Sequence, residues 1–341
     1  MAKSKVTIYD IARMAGVSPS AVSLVLNDKP NVSEATRELV KKIIEENNYT
    51  PNLNSRKLIL KKSFNIFVVV ESCFASFDDM FYNSSIIGIL ELCRKYNYLV
   101  VLSDISKDYA SSSLRLAVEQ KNIDGAIFLQ DIRPETATAL KEANCPFVVL
   151  DAHECKRDIP CVYSDYSEAV KQGINYLLSC GHRRISLIAM DRIPAFYMSV
   201  MKGYLAALES AGLRCRPEWI TQALPEKNSV SQAVDKLLSC DERPDSMFCS
   251  MDIIGIYAIQ VLSNRGLSVP TDISVCSVDN IVSSQYCCPS LTTVNIEKKE
   301  MGRIAVQMLY DILMRTPGNQ SPNHVCAPIG ETIIRESVAV R

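Results

Sequence analysis

From residue 64 onward, short apolar runs alternate with longer amphipathic stretches. The runs Ile66–Val70, Leu99–Ser103, Ala126–Leu129, Phe147–Leu150, Ile185–Ala189, Met247–Ser250 and Ile273–Val278 predict strands. Between and after them, stretches at about 80–96, 110–121, 134–143, 166–180, 197–211, 229–239, 252–265 and 298–315 carry helical periodicity. Continuous apolar strands separated by helices imply parallel sheets covered on both faces. The number of helices suits two such sheets, hence an α/β core of two lobes with a cleft between them. Ligands of this architecture bind beyond the carboxyl ends of the strands.

The first 47 residues follow a different rule. Thr7 and Asp10 form a capping-box pattern ahead of Ile8, Ile11, Ala12 and Ala15, which recur at helical spacing until Gly16. Ser18-Pro19 starts a second helix with the stripe Val22, Val25 and Leu26, and Asn27-Asp28-Lys29-Pro30 stops it. Ser33 caps a third, whose expected apolar face is Leu39, Val40, Ile43 and Ile44. The division expected is a small all-α head over 1–49, a polar basic hinge over 50–62, and a core over 63–341. Within the core, the first lobe takes about 63–163 plus a late crossover segment. The second takes about 164–290 plus the C-terminal segment.

Charge sharpens this division. Residues 1–62 hold 11 basic and 6 acidic side chains, a balance of +5, and the remainder holds 26 against 32, a balance of −6. A basic head on a mildly acidic body suits a polyanion-binding module. The chain of 341 residues is 48% hydrophobic, enough for a large core, and no apolar run approaches the ~18 residues of a membrane helix. The opening MAKSKVTIYD has no apolar stretch of signal-peptide type, so a cytoplasmic protein without membrane attachment is expected. Thirteen cysteines lack paired spacing, Cys287–Cys288 being the only close pair, which predicts reduced thiols acting as small buried apolar residues.

Helix, glycine turn and second helix over Ala12–Ser23 have the spacing of a helix-turn-helix, whose second helix enters the major groove. The stretch VTIYDIARMAGVSPSAVSLVLNDKPNVSEATRELVKKIIEENNYTPNLNSRKL resembles the DNA-binding head of the lac repressor/galactose repressor family. Shorter segments continue the resemblance in order: GHRRI from Gly181, VPTDISV from Val269, PSLTTV from Pro289 and IRES from Ile334. The resemblance implies a hinge that folds on operator DNA, a core like the periplasmic sugar-binding proteins, and a homodimer. No leucine-heptad tail follows the IRES segment, which favours a dimer over a tetramer.

Carried over by position, Tyr9, Ser18, Ser33, Thr36 and Asn52 correspond to phosphate contacts, and Pro19, Ser20 and Leu24 to base-reading positions. Ser23 and Asn27 complete the expected DNA-contacting set. Leu24 replaces an arginine often found there, so one bidentate guanine contact is lost. Leu58 corresponds to a wedge inserted into the minor groove; the bland reading is packing of Leu58 and Ile59 on the core.

In the core, Phe81 and Tyr82 correspond to aromatics against an effector, or are helix-core residues. Asp165, Asp252 and Asp279 correspond to acids at strand ends facing the cleft; Asp165 and Asp252 read equally well as helix caps. Two departures make the pocket less polar than a typical hexose site: Val200 replaces an arginine and Met251 an asparagine. A small-molecule effector, a sugar or derivative, is the first expectation; a purine or a phosphocarrier-protein corepressor is the alternative, and a solute receptor the remoter one. There is no GxGxxG, P-loop or GxSxG, and His153, His182 and His324 are scattered, so no enzyme, metal or cofactor chemistry is expected. His182 reads as a helix C-terminal cap and Trp219 as packing.

Overall fold

The computed structural model describes residues 6–26, 30–47, 49, 62–314 and 322–341. The chain divides into two compact units, Met1–Ser63 and Phe64–Arg341. The first holds α1 (Ile8–Ala15), α2 (Pro19–Leu26) and α3 (Glu34–Glu46). Each start has a side-chain reason. The Thr7 hydroxyl accepts from Asp10 N at 3.3 Å while Thr7 N donates to the Asp10 carboxylate at 3.0 Å. Ser18 accepts from Ala21 N at 3.1 Å and Ser33 from Thr36 N at 3.2 Å. Gly16 ends α1 at φ +65°, a left-handed conformation that a Cβ would strain. Ile11, Ala12, Ala15, Val22, Val25, Val40, Ile43 and Tyr49 form the head's core. Leu39 does not join them: it is 46% exposed, because one helical step of about 100° turns it away from Val40.

The second unit begins with β1 (Asn65–Glu71), α4 (Met80–Lys95), β2 (Leu99–Ile105), α5 (Ser113–Glu119) and β3 (Gly125–Leu129). Next come α6 (Pro134–Glu142), β4 (Phe147–Leu150), β5 (Cys161–Ser164) and α7 (Tyr166–Ser179). The chain continues through β6 (Ile185–Ala189), α8 (Pro194–Ser210), β7 (Ile220–Gln222), α9 (Lys227–Leu238) and β8 (Ser246–Cys249). It finishes with α10 (Asp252–Asn264), β9 (Ser274–Asp279), β10 (Thr292–Ile296), α11 (Lys298–Leu313), β11 (His324–Ala327) and β12 (Ile329–Ile333). All seven runs expected as strands are strands. Five further strands, β5, β7, β10, β11 and β12, are short or polar, and their apolar signal is correspondingly weak.

Two six-stranded sheets result, ordered β11-β5-β4-β3-β1-β2 and β12-β10-β9-β8-β6-β7. The first is parallel throughout, with Ile66 beside both Val100 and Gly125. The second departs from the all-parallel expectation at its edge, where β12 runs antiparallel to β10. Because β12 follows β11 after Pro328 alone, it re-enters the second sheet directly, without the crossover a parallel strand requires. The chain thus passes between lobes after β5, after β10 and after β11.

Helix packing is tight at glycines. A Cβ on Gly302 of α11 would lie 2.1 Å from the Ser85 carbonyl oxygen of α4, and one on Gly88 of α4 would lie 2.0 Å from that of Lys299. The segments behind the family resemblance bind one another. Ser337 Oγ donates to Val275 O at 2.6 Å and accepts from Thr292 N at 2.8 Å; Arg335 donates to Leu291 O at 2.6 Å and to Asn280 Oδ1 at 2.7 Å. His182 sits between Asp245 at 3.1 Å and the Ala339 carbonyl at 3.0 Å, linking the loop after α7 to Asp245 and the C-terminal segment. Trp219 is buried, with its indole N–H donating to Glu242 O at 2.9 Å and Arg216 over its ring.

Candidate functional site

In the head, α2 buries Val22 and Val25 and leaves Ser18 and Ser20 exposed, with Pro19, Ser23 and Leu24 half-buried. Tyr9 is 71% exposed on α1. At the start of α3, Ser33 is exposed and its hydroxyl lies 2.8 Å from that of half-buried Thr36. The capped N-termini of α2 and α3 present backbone N–H groups and the positive ends of their dipoles, which favour phosphate. Asn27, Asn52 and Leu58 lie outside the described residues.

The second site lies at the carboxyl ends of the two sheets. Asp151 follows β4 and is buried, at φ +64°. Its carboxylate accepts from Tyr82 Oη of α4 at 3.0 Å and from Tyr166 Oη of α7 at 2.9 Å. Tyr166 belongs to the second lobe, so this carboxylate joins the two. Burial pushes Asp151 up to about 7, against the two donated hydrogen bonds. Burial, reinforced by the charge of Asp151, raises both phenols. The rings of His153, Tyr166 and Phe196 pack with centroids 4.9 to 5.7 Å apart, again across the lobe boundary. Enclosure of the imidazole lowers His153 to about 4. Asp131, after β3, is raised by desolvation to about 6.

Lys298 opens α11 as the chain returns to the first lobe. Its ammonium donates to the carbonyls of Asp279, Asn280 and Ile296 and lies 5.6 Å from the Phe81 ring centroid. Burial lowers its affinity for a proton while the neighbouring Asp279 charge works the other way. Asp279 is buried at φ +130°, a strained conformation at the end of β9, and its carboxylate accepts from Asp252 N at 3.2 Å. Burial and the Asp252 charge raise it.

The other two acids have different surroundings, Asp165 at the surface and Asp252 enclosed beside Asp279. Asp165 is exposed and caps α7, accepting from Glu168 N at 3.1 Å. Asp252 is fully buried, accepting from Ser277 Oγ and Thr293 Oγ1 at 2.5 Å each and from Ile281 N at 2.8 Å. It braces β9, β10 and α10 from inside the second lobe. Phe81 and Tyr82 are both buried, with rings 5.2 Å apart, and fill the helix core while reaching the lobe boundary. Val200 is fully buried and Met251 half-buried.

Sequence reasoning missed Asp151, Tyr166, His153, Phe196 and Lys298. Asp151 stands immediately after a predicted strand, so the strand-end rule points to it. The other four carry no local signal and meet only through the fold.

Residues 7–52 match the profile of bacterial regulatory proteins of the lacI family, and residues 174–338 that of the periplasmic binding protein-like domain. The chain is 32% identical over 308 residues to catabolite control protein A of Priestia megaterium, covering 89% of this chain and 91% of that protein. The chain belongs to the lacI family. It is a DNA-binding transcription regulator with a helix-turn-helix head and a two-lobed α/β core. Among solved structures, the regulator resembles the CelR–cellobiose complex, with TM-score 0.70 and 27% identity over 97% of this chain and 99% of that one. It shares the fold of the lac repressor dimer bound to operator and the anti-inducer ONPF, with TM-score 0.73 and 24% identity over 98% and 100% of the two chains. Among the described residues no helix is long and apolar enough to cross a membrane.

Proposed function

We propose that this regulator is a cytoplasmic repressor of carbohydrate-utilisation genes, acting as a homodimer on operator DNA and switched by a sugar or sugar derivative between its lobes. It acts by binding rather than catalysis. In this reading Tyr9, Ser18, Ser33, Thr36 and Asn52 hold phosphates; Pro19, Ser20, Ser23, Leu24 and Asn27 face bases; and Leu58 enters the minor groove. Two heads related by a two-fold axis would read half-sites about 34 Å apart. Phe81, Tyr82 and Asp279, with Asp151 and Tyr166, form the effector side of the switch.

The observation that carries the reading is the hydrogen-bonded cluster of Tyr82, Asp151 and Tyr166, in which one buried carboxylate joins both lobes. A ligand that competes for this carboxylate binds the two lobe arrangements unequally, and its differential affinity then shifts operator affinity. A solved relative, the CelR complex, contains cellobiose. Buried Val200, which offers no hydrogen bond, favours a less polar effector as the second reading.

The test is a thermal-shift panel of sugars, sugar phosphates, purines and nucleosides, followed by anisotropy on a duplex selected from random DNA. A ligand at 100 times its Kd adds about 2.7 kcal/mol of stability. A sugar that stabilises the protein and changes DNA affinity supports the proposal. A purine hit, or selection of no two-fold symmetric duplex, overturns the corresponding half. Leu58→Gly should weaken operator binding and bending while the core melts normally; unchanged bending rejects the wedge.

A further inference from the structure

The sequence makes Cys287 and Cys288 its only close cysteines, yet the fold brings together two that are six positions apart. Cys161 opens β5 and is buried, whereas Cys155 is exposed on the segment between β4 and β5. Their sulfurs lie 3.0 Å apart, with the Cys161 thiol donating to Cys155. That separation is about 1 Å beyond a disulfide bond of ~2.05 Å, so closure needs only a small movement of the exposed partner. All thirteen cysteines are free thiols. Six of them are buried, three are half-buried and four are exposed, Cys155 among these, so the expectation of small buried apolar thiols holds for only part of the set.

The segment between the two sulfurs is short and well placed. It runs Cys155-Lys156-Arg157-Asp158-Ile159-Pro160-Cys161, and Cys155, Lys156, Arg157 and Asp158 are exposed. Four and two residues before Cys155 come Asp151, which joins the lobes through Tyr82 and Tyr166, and His153, which packs on Phe196.

We propose that Cys155 and Cys161 form an oxidisable dithiol, closed to a disulfide by a peroxide, that tethers the segment carrying Asp151 and His153 to β5. The Cys155 sulfur attacks the peroxide O–O bond, forming a sulfenic acid and releasing water once the leaving oxygen takes a proton. The Cys161 sulfur then attacks the Cys155 sulfur; the S–S bond forms, the S–O bond breaks, and the hydroxide leaves as water with the Cys161 proton. With hydrogen peroxide as the oxidant, two thiols and one peroxide give one disulfide and two waters. Cys155 takes the first step because it is exposed while Cys161 is buried; desolvation raises the Cys155 thiol, and the hydrogen bond from Cys161 offsets part of that rise. Cys161 is the resolving thiol because it is buried behind it.

The test treats the full-length protein with hydrogen peroxide, alkylates the remaining thiols, and maps tryptic peptides by mass. Cleavage after Lys156 and Arg157 separates the two cysteines, so a disulfide appears as two linked peptides. The expected result is that linked pair, lighter by two hydrogens than the separate thiol peptides, and two fewer alkylated thiols, both reversed by dithiothreitol. In Cys161→Ser, Cys155 should stop at the sulfenic acid, trapped by dimedone. As a second readout in the native fold, oxidation should slow tryptic nicking within the closed ring, and reduction should restore it. Full alkylation of both cysteines after peroxide, or linkage of Cys155 to Cys326 instead, overturns the proposal. So does oxidation confined to the exposed Cys73 and Cys288.

Discussion

Asp151 shows what a single buried acid does when two phenols hold it. Its ordinary value of 3.8 rises to about 7 in the folded chain through burial. Between those values the native state keeps a proton that the unfolded chain has released. This contribution to stability is therefore full below about pH 4 and is lost as pH rises through about 7. His153 works in the opposite sense, its value falling from 6.5 to about 4, so its contribution is present above 6.5 and lost as pH falls through 4. Comparing Asp151→Asn with the parent isolates the acid: the difference in Tm between the two should change steadily from pH 4 to about pH 7. Parallel curves would show that Asp151 does not titrate there. Leu24 offers a residue-scale test of the DNA reading. Leu24→Arg should create a guanine preference of about 1–3 kcal/mol at one symmetric pair of operator positions, read from binding to a set of single-base variants. Weaker or stronger binding to every sequence alike would place residue 24 on the backbone.

At the scale of elements, the head depends on its caps and the core on close helix crossings. Thr7→Ala and Ser33→Ala each remove a side-chain acceptor from a helix start, and each should lower the stability of the head by about 1 kcal/mol in thermal melts. The core transition should stay where it is. The α4–α11 crossing is less forgiving, because a side chain at Gly302 meets a carbonyl oxygen on the facing helix rather than a movable side chain. Gly302→Val should cost about 3 kcal/mol, through separation of the two helices and the voids this opens. A loss under half of that, measured by denaturant unfolding of the core, would mean that the helices part easily.

For the whole molecule, the division at Ser63 and the charge asymmetry point the same way. The fragment Phe64–Arg341 should keep the core's melting transition and its ligand response while binding no DNA at 50 mM salt, where phosphate contacts are strongest. Residual DNA binding by that fragment would place part of the interface outside the head. The crossings after β5, β10 and β11 give each lobe segments from distant parts of the chain, so the lobes of the core should melt together rather than in turn.

Local chemistry was legible along the chain because its causes are local. Thr7, Gly16, Ser18-Pro19 and Ser33 set helix limits through neighbours within four residues, and six of the seven apolar runs became strands buried on both faces, where a parallel strand must be largely apolar. The seventh, β2, lies at a sheet edge with Leu99 and Leu102 exposed. The resemblance of the head rests on the same contiguous residues. Non-local pairing escaped that reading. The edge strands β7, β11 and β12 take their conformation from partners far away in sequence and carry little apolar signal of their own. Asp165 and Asp252 look alike in sequence, each an acid at a helix start, yet one caps α7 at the surface and the other is enclosed by Ser277, Thr293 and Ile281. Burial, which no single position encodes, made that distinction. The same holds for Tyr82, Asp151 and Tyr166, and for Cys155 beside Cys161: the residue types were visible, but their distances were decided by the packing of strands and helices that the intervening chain brings together.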